Sequence, residues 1–192
     1  MLENQLQQIH QVLSSYITIT EAEWNLYAPK FTIKHFTKNQ MVLSPGSVCK
    51  EIYFVNSGLL RVFFVDQKEE EHSFHFSLEN TFSADYESFL KKTASNYSIQ
   101  ALEATEVVVM SFATLHEGYS ILEQGEKLGR RLAEDYFFVF SNKIQSLYTE
   151  TPLQRYNKMN VIFPGIVNRV SQHYIASYLN VSSVHLSRLK NA

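Results

Sequence analysis

Residues 170–192 read VSQHYIASYLNVSSVHLSRLKNA, and the reading of this stretch organises the rest of the chain. Ile175, Ala176 and Leu179 recur on one side of a short helix, and Leu186 and Leu189 on one side of a second. Asn180 and Val181 turn the chain between them, and Ser182 or Ser183 offers a capping hydroxyl. Ala176 is small enough for the two helices to cross closely. The second helix then leaves Ser183, Val184, Ser187 and Arg188 on its outer side, where a helix-turn-helix presents side chains to the DNA major groove. Asn180 stands where such corners usually hold glycine. Asn is the residue that, after glycine, best tolerates the positive φ required there.

Local charge agrees with this reading. Residues 151–192 contain Arg155, Lys158, Arg169, Arg188 and Lys190 and no acid, a balance of +5 against −7 for the remainder. A basic end on an acidic body suits a phosphate-contacting module attached to a sensor.

Moving toward the N-terminus, Thr151-Pro152 starts a helix with Thr as cap and Pro at the first position. Leu153, Tyr156 and Met159 form its inner face, and Pro164-Gly165 ends it. The box Thr114-Leu115-His116-Glu117 opens helical sequence that runs to about Tyr148. Leu128, Leu132, Tyr136, Val139, Ile144 and Leu147 recur along it, with Phe137, Phe138 and Phe140 in excess of one face. One side is expected to pack on the preceding domain and the other on a second copy of the chain.

Before that helix the period is two. Short apolar runs begin at Phe31, Met41, Ile52, Leu59, His72, Tyr97 and Val107. Ser44-Pro45-Gly46, Asn56-Ser57-Gly58 and the charged turn Asp66–Glu71 separate them. Many short strands with turns between them read as an antiparallel barrel or roll. Leu2, Leu6, Ile9 and Leu13 predict an N-terminal helix, and Thr20–Glu23 is a capping box for a short helix that stops before Pro29.

Composition sets the outer limits. The 192 residues, 45% hydrophobic and 14% aromatic, fit one large domain or a sensor with a small effector domain. Residues 1–13 lack the positive start and apolar core of a signal peptide, and no run approaches membrane-spanning length, so a cytoplasmic protein without membrane contact is expected. The single cysteine, Cys49, excludes an internal disulfide or a four-cysteine cluster within one chain and reads as a small buried residue.

The order of parts, together with TPLQRYNKM and NRVSQHYIASYLNVSSVHLSRLK, resembles the cyclic-AMP receptor and fumarate-nitrate regulator (Crp/Fnr) family of bacterial transcription factors. Pro45-Gly46 and IYFVNSGLLRVFFVD are similar to that family's cyclic-nucleotide-binding β-roll. The resemblance implies an α+β chain. Residues 1–115 would be a jelly-roll-like antiparallel β-roll sensor with N-terminal helices, residues 116–150 a dimerisation helix, and residues 151–192 a winged helix-turn-helix. It implies a homodimer on a two-fold operator in double-stranded DNA, with contacts to RNA polymerase permitted. Gln172 and His173 then suit phosphates. Ser182, Ser183, Val184, Ser187, Arg188 and Lys190 lie along the recognition helix, with Arg188 suited to a guanine edge.

The ligand positions depart from the family pattern. Where nucleotide-binding members carry Gly-Glu and Arg-Ser or Arg-Thr, Ala84-Asp85 and Ser95-Asn96 fall here, beside Phe82, and no Arg occurs between Arg61 and Arg130. A cyclic phosphate would lack its bidentate partner, so weak or no cyclic-AMP binding is expected, and the effector is another small molecule or none. No cofactor or metal is expected, although the sequence leaves haem open.

Two rival readings carry less. His72, His75 and Glu79, with His35 on another strand, suit a cupin-like metal enzyme by residue type. The odd spacing of His72 and His75 places them on opposite faces of a regular strand. The sequence shows no catalytic triad, phosphate loop or acid–base pair. The other rival is a β-roll ligand sensor whose DNA-binding end has degenerated, suggested by Asn180 at the corner and by the two residues after Lys190.

Overall fold

The computed structural model describes the backbone of residues 2–190 and the side chains of residues 5–189. The side chains of Leu2 and Lys190 therefore lie outside the described residues. Helix α1 (Leu2–Tyr16) buries Leu6, Ile9 and Leu13, as their spacing predicts. Helix α2 (Glu21–Tyr27) carries the expected capping box, with Thr20 and Glu23 satisfying each other's backbone N–H groups. A single 3-10 turn, Ala28–Lys30, absorbs Pro29.

Eight strands follow: β1 (Thr32–Phe36), β2 (Met41–Leu43), β3 (Glu51–Ser57), β4 (Leu60–Val65), β5 (Glu71–Ser77), β6 (Phe82–Ser83), β7 (Ser98–Ala101) and β8 (Thr105–Ser111). They form two antiparallel sheets ordered β1-β8-β3-β6 and β2-β7-β4-β5. Val107, Val108, Val109 and Met110 are buried in succession on β8. Alternation is lost there because α1 covers the face of the first sheet turned away from the second. The short β6 and helix α3 (Tyr86–Lys91), capped by Asp85, were not anticipated from the sequence. They occupy the interval between the expected strands.

One irregularity in the second sheet matters. Val62 pairs with His75 and Phe63 with Ser73, so Phe74 is an extra residue on β5. Ser73 and Phe76 thereby share the outer face although they are three residues apart. Ser73 donates its N–H to Ser177 Oγ, and Phe76 packs on Phe163 and Tyr178. Phe74 and His75 turn inward together. The opposite-face argument for His72 and His75 therefore fails, because the bulge resets the parity that a regular strand would impose.

The long helical stretch is also corrected. Helix α4 (Phe112–Ile121) is capped by Ser111, which accepts the Thr114 N–H, so the turn starts three residues before the expected box. The chain breaks at Leu122 and resumes as α5 (Gly125–Thr149). A Cβ on Gly125 would collide with the Gly118 carbonyl and the Tyr119 backbone, so the two helices meet at a glycine contact that needs a corner between them. Glu23 holds that corner by accepting the Glu123 N–H at 2.7 Å.

Helices α6 (Pro152–Ile162), α7 (Ile166–Arg169), α8 (Gln172–Tyr178) and α9 (Ser183–Lys190) complete the chain. Thr151 and Gln154 form a capping box, and Asn180 takes φ 53 as its role at the corner requires. No strand accompanies these helices among the described residues, so the expected wing is not seen there. The core of this unit joins Met159, Phe163, Ile166, Ile175, Leu179 and Leu186 to Leu59, Phe76 and Leu102 of the roll. Full burial of Phe76 alone contributes ~1.5–3 kcal/mol to this shared core.

Candidate sensor cavity and nucleic-acid interface

A cavity of about 410 Å³ lies between the roll and α5. Three of the five expected pocket residues, Phe82, Ala84 and Asp85, line it. Ser95 is buried behind Asp85, donating its hydroxyl to that carboxylate at 2.6 Å, and Asn96 is exposed and does not reach the cavity. The second Asp85 oxygen accepts the Ser88 N–H at 3.1 Å, so the carboxylate caps α3. The position expected for a ribose or phosphate contact is thus filled by an internal hydrogen-bond pair.

The sequence reading missed the cavity's most distinctive side chains. Phe74, His75, Tyr97, Tyr136 and Phe140 line it, and no Lys or Arg does among the described residues. His75 sits edge-on to Phe140 and Phe163, at 5.4 and 5.5 Å between ring centroids. Its Nδ1 and the Ser83 hydroxyl are buried without a hydrogen-bond partner. Burial, with a smaller effect from Lys143, holds the His75 ring down to about 3, so the imidazole is neutral at physiological pH. The inward turn of His75 depends on the bulge, which nothing in the local sequence marks.

Helix α5 is fixed to the cavity rim by one side chain. The Tyr136 hydroxyl accepts the Phe82 N–H at 2.7 Å and donates to the Phe82 carbonyl at 2.9 Å. Leu128, Leu132 and Tyr136, expected at an interface between chains, instead face their own roll. Val139, Ile144 and Leu147 are exposed as that expectation requires, and Phe137 and Tyr148 join them at 66% and 85% exposure. Phe137, Ile144 and Tyr148, seven and four residues apart, share one stripe of the helix. Farther along α5, Lys143 donates to the Tyr178 carbonyl at 3.2 Å and lies over the Tyr178 ring. Burial and the nearby Arg155 hold its amine down to about 6.

The C-terminal helices are docked on the outer face of the second sheet. Ser177 Oγ accepts the Ser73 N–H at 2.9 Å and donates to the Glu71 carbonyl at 3.1 Å. Tyr174 lies 3.7 Å over the guanidinium of Arg61, which is fully buried and bonded to Ser73 and Glu71. Arg169 bonds Glu79, Glu103 and the Gly58 carbonyl. Gly58, at φ +96, leaves no room for a Cβ against Thr105.

These contacts revise the charge argument. Arg169 is spent on the roll, Arg155 on the carbonyls of Glu150 and Leu179, and Lys158 on the Glu150 carboxylate. Of the basic residues counted toward DNA, Arg188 is exposed and enters no ion pair among the described residues, and the Lys190 side chain lies outside them. On α9, Ser182 is the cap, accepting the His185 N–H at 3.1 Å. Ser183, Val184, Ser187 and Arg188 are exposed while Leu186 is buried. Gln172 and His173 are exposed at the start of α8. Glu69, Glu70 and Glu71 face His173, Ser182 and Ser183 across a groove.

The metal constellation does not assemble. His75 is in the cavity, Glu79 holds Arg169, His35 pairs with Glu106 at 2.9 Å, and His72 pairs with Asp66 at 3.0 Å. Cys49 is buried, its thiol 3.3 Å from the Glu51 carbonyl, and burial pushes its pKa up, which suits a packing role.

Residues 33–128 match the cyclic nucleotide-binding domain family. The chain belongs to that family. A comparison with curated proteins finds no match. Among solved structures, the chain is similar to FixK2 from Bradyrhizobium japonicum, at 14% identity and TM-score 0.72, over 84% of this chain and 83% of that one. It is similar to CLP from Xanthomonas campestris, at 13% and 0.68, over 90% of each chain. It is similar to a Crp/Fnr-family transcriptional regulator from Eubacterium rectale, at 13% and 0.67, over 92% of this chain and 86% of that one. As a family member it keeps the β-roll, and its fold is similar to that of a Crp/Fnr-family regulator over 92% of this chain. No helix among the described residues is long and apolar enough to cross a membrane.

Proposed function

We propose that the chain is a homodimeric, one-component transcriptional regulator whose β-roll senses a small molecule and controls a C-terminal helix-turn-helix. The observation that carries this reading is α9: Leu186 is buried while Ser183, Val184, Ser187 and Arg188 stand outward on the helix that follows the Asn180 corner. In this reading Arg188 forks onto a guanine edge, Val184 touches a thymine methyl, and Ser183 and Ser187 complete the base-facing row. Gln172, His173, Ser182 and Lys190 hold phosphates. Phe137, Ile144 and Tyr148 pair with their counterparts in a second copy, which gives two recognition helices for a two-fold operator.

The related folds support the reading by kind. CLP is described as a global regulator responsive to c-di-GMP, and a CprK structure as complexed with OCPA. Cyclic AMP is not the expected effector here, because Asp85 and Ser95 satisfy each other and the cavity lacks a basic side chain among the described residues. The protein acts in the cytoplasm without a cofactor or catalytic activity, and activation would add a contact with RNA polymerase.

The test is selection of bound fragments from a random double-stranded DNA library with purified full-length protein at moderate salt. Enrichment of a two-fold sequence with half-sites about one helical turn apart supports the proposal. One observation favours a second reading, a roll sensor with a degenerate DNA-binding end: Arg155, Lys158 and Arg169 are all bound internally. No enrichment under any ligand condition would select that reading.

A further inference from the structure

We infer that the cavity between the roll and α5 takes an uncharged, largely apolar small molecule that offers one hydrogen-bonding group to His75 and Ser83. This rests on the reading of the roll as a sensor and names the class of ligand it senses.

Size and wall chemistry set the class. A cavity of about 410 Å³ falls in the range of small-molecule sites. Its walls include Phe74, Phe82, Tyr97, Leu132 and Phe140, which offer ring faces and aliphatic surface. Two polar side chains in the lining are more than nine-tenths buried, His75 at 7% exposure and Ser83 at 3%, and each has a polar atom without a partner. A protein interior rarely leaves two such groups unpartnered in the lining of one cavity, and a ligand hydroxyl or amide would supply a partner. Ser77, also in the lining, already donates to the Phe82 carbonyl at 3.2 Å.

Charge excludes the other classes. Asp85 stands in the lining and no basic residue does among the described residues, so an anion meets repulsion and no counter-charge in the walls. A cation finds both carboxylates of the lining engaged. Asp85 accepts from Ser88 and Ser95, and Glu87 pairs with Lys91 at 2.7 Å. The imidazole stays neutral when buried, which suits it to exchange a hydrogen bond with an uncharged partner. The same ring touches Phe140 of α5 and Phe163, the residue that ends α6. A guest bonded to His75 therefore presses on the helix that leads to the DNA-binding unit.

The experiment is titration calorimetry of the full-length chain with four probes: 1-naphthol, naphthalene, 1-naphthyl phosphate and cyclic AMP. Expected is 1-naphthol binding at least about tenfold tighter than either phosphate, and several-fold tighter than naphthalene, the size of one net hydrogen bond. His75→Leu should remove the preference for naphthol over naphthalene while naphthalene still binds. Ala84→Trp or Ala133→Trp, which fill the cavity from opposite walls, should abolish binding of both in protein whose thermal melt remains cooperative.

Either phosphate binding as tightly as naphthol would overturn the inference, as would equal affinity for naphthol and naphthalene, or no binding by any probe. The probe ranking in the unmodified protein decides the class even where a variant fails to fold. Naphthol binding with no DNA selected in any condition would reject the regulator and leave the ligand class standing.

Discussion

Arg169 grips Glu79 with both arms of its guanidinium, Nη1 lying 2.9 Å and Nη2 2.7 Å from the two carboxylate oxygens. Arg169 belongs to α7 of the C-terminal helical unit and Glu79 follows β5 of the roll. The pair depresses the Glu79 carboxyl and raises the guanidinium, chiefly through the hydrogen bonds themselves. Replacing Arg169 with Ala should weaken docking by about 1–2 kcal/mol, allowing for partial exposure. Small-angle scattering is expected to show a more extended particle. An unchanged profile would mean that the shared core holds the unit without the ion pair.

The acidic hairpin should oppose DNA. Glu69 to Glu71 face Ser182, Ser183 and His173, where phosphates approach in the proposed DNA complex. Glu69→Gln with Glu70→Gln is expected to strengthen DNA association several-fold at low salt, with the gain fading as salt screens the charges. Equal affinities at every ionic strength would place the hairpin away from bound DNA.

Acid should loosen the chain through two buried bases. His75 is held down to about 3 from 6.5, and Lys143 to about 6 from 10.5. In each interval the unfolded chain binds a proton that the folded chain does not, so stability rises with pH. It climbs from about 3 to 6.5 on account of His75 and from about 6 to 10.5 on account of Lys143. Lys143→Met, which keeps the stem and removes the amine, is expected to flatten the stability curve between about pH 7 and pH 9, where Lys143 alone contributes up to ~1.4 kcal/mol per unit. A slope preserved in that variant would assign the proton elsewhere.

The apolar stripe on α5 should join two chains. Phe137→Asp with Ile144→Asp places charge where Phe137, Ile144 and Tyr148 stand exposed. Sedimentation is expected to report a monomer with an unchanged thermal melt, and operator affinity should fall by at least about a hundredfold once two half-sites cannot be engaged together. A dimer that survives both changes would put the interface on another surface.

Residues whose partners are close in sequence were the readable ones. The capping box at Thr20, the Thr151 cap, the Asn180 corner, and the buried Ile175 and Leu186 follow from spacing alone. Residues whose role depends on distant chain were misread. Leu128, Leu132 and Tyr136 have the same periodicity whether they face a roll or a second copy, and Leu153, expected inside, is half exposed. Arg169 counts toward the basic charge of residues 151–192 until Glu79 and Glu103, far away in sequence, come beside it. His75 could not be placed because parity along β5 depends on a bulge that pairing with β4 creates.

That bulge keeps two surfaces of one ribbon in phase. Ahead of Phe74 the odd-numbered residues look outward, and behind it the even-numbered ones do, which lets Ser73 and Phe76 grip the helices outside while Phe74 and His75 line the hollow within. Deleting the single residue Phe74 would rotate everything on one side of it by half a turn, carrying either the grip or the lining to the wrong side. Length at this point of the chain is therefore more tightly constrained than chemistry. A change of side chain at Phe74 alters one contact, whereas the loss of one backbone unit severs the hollow from the helices it faces across the sheet.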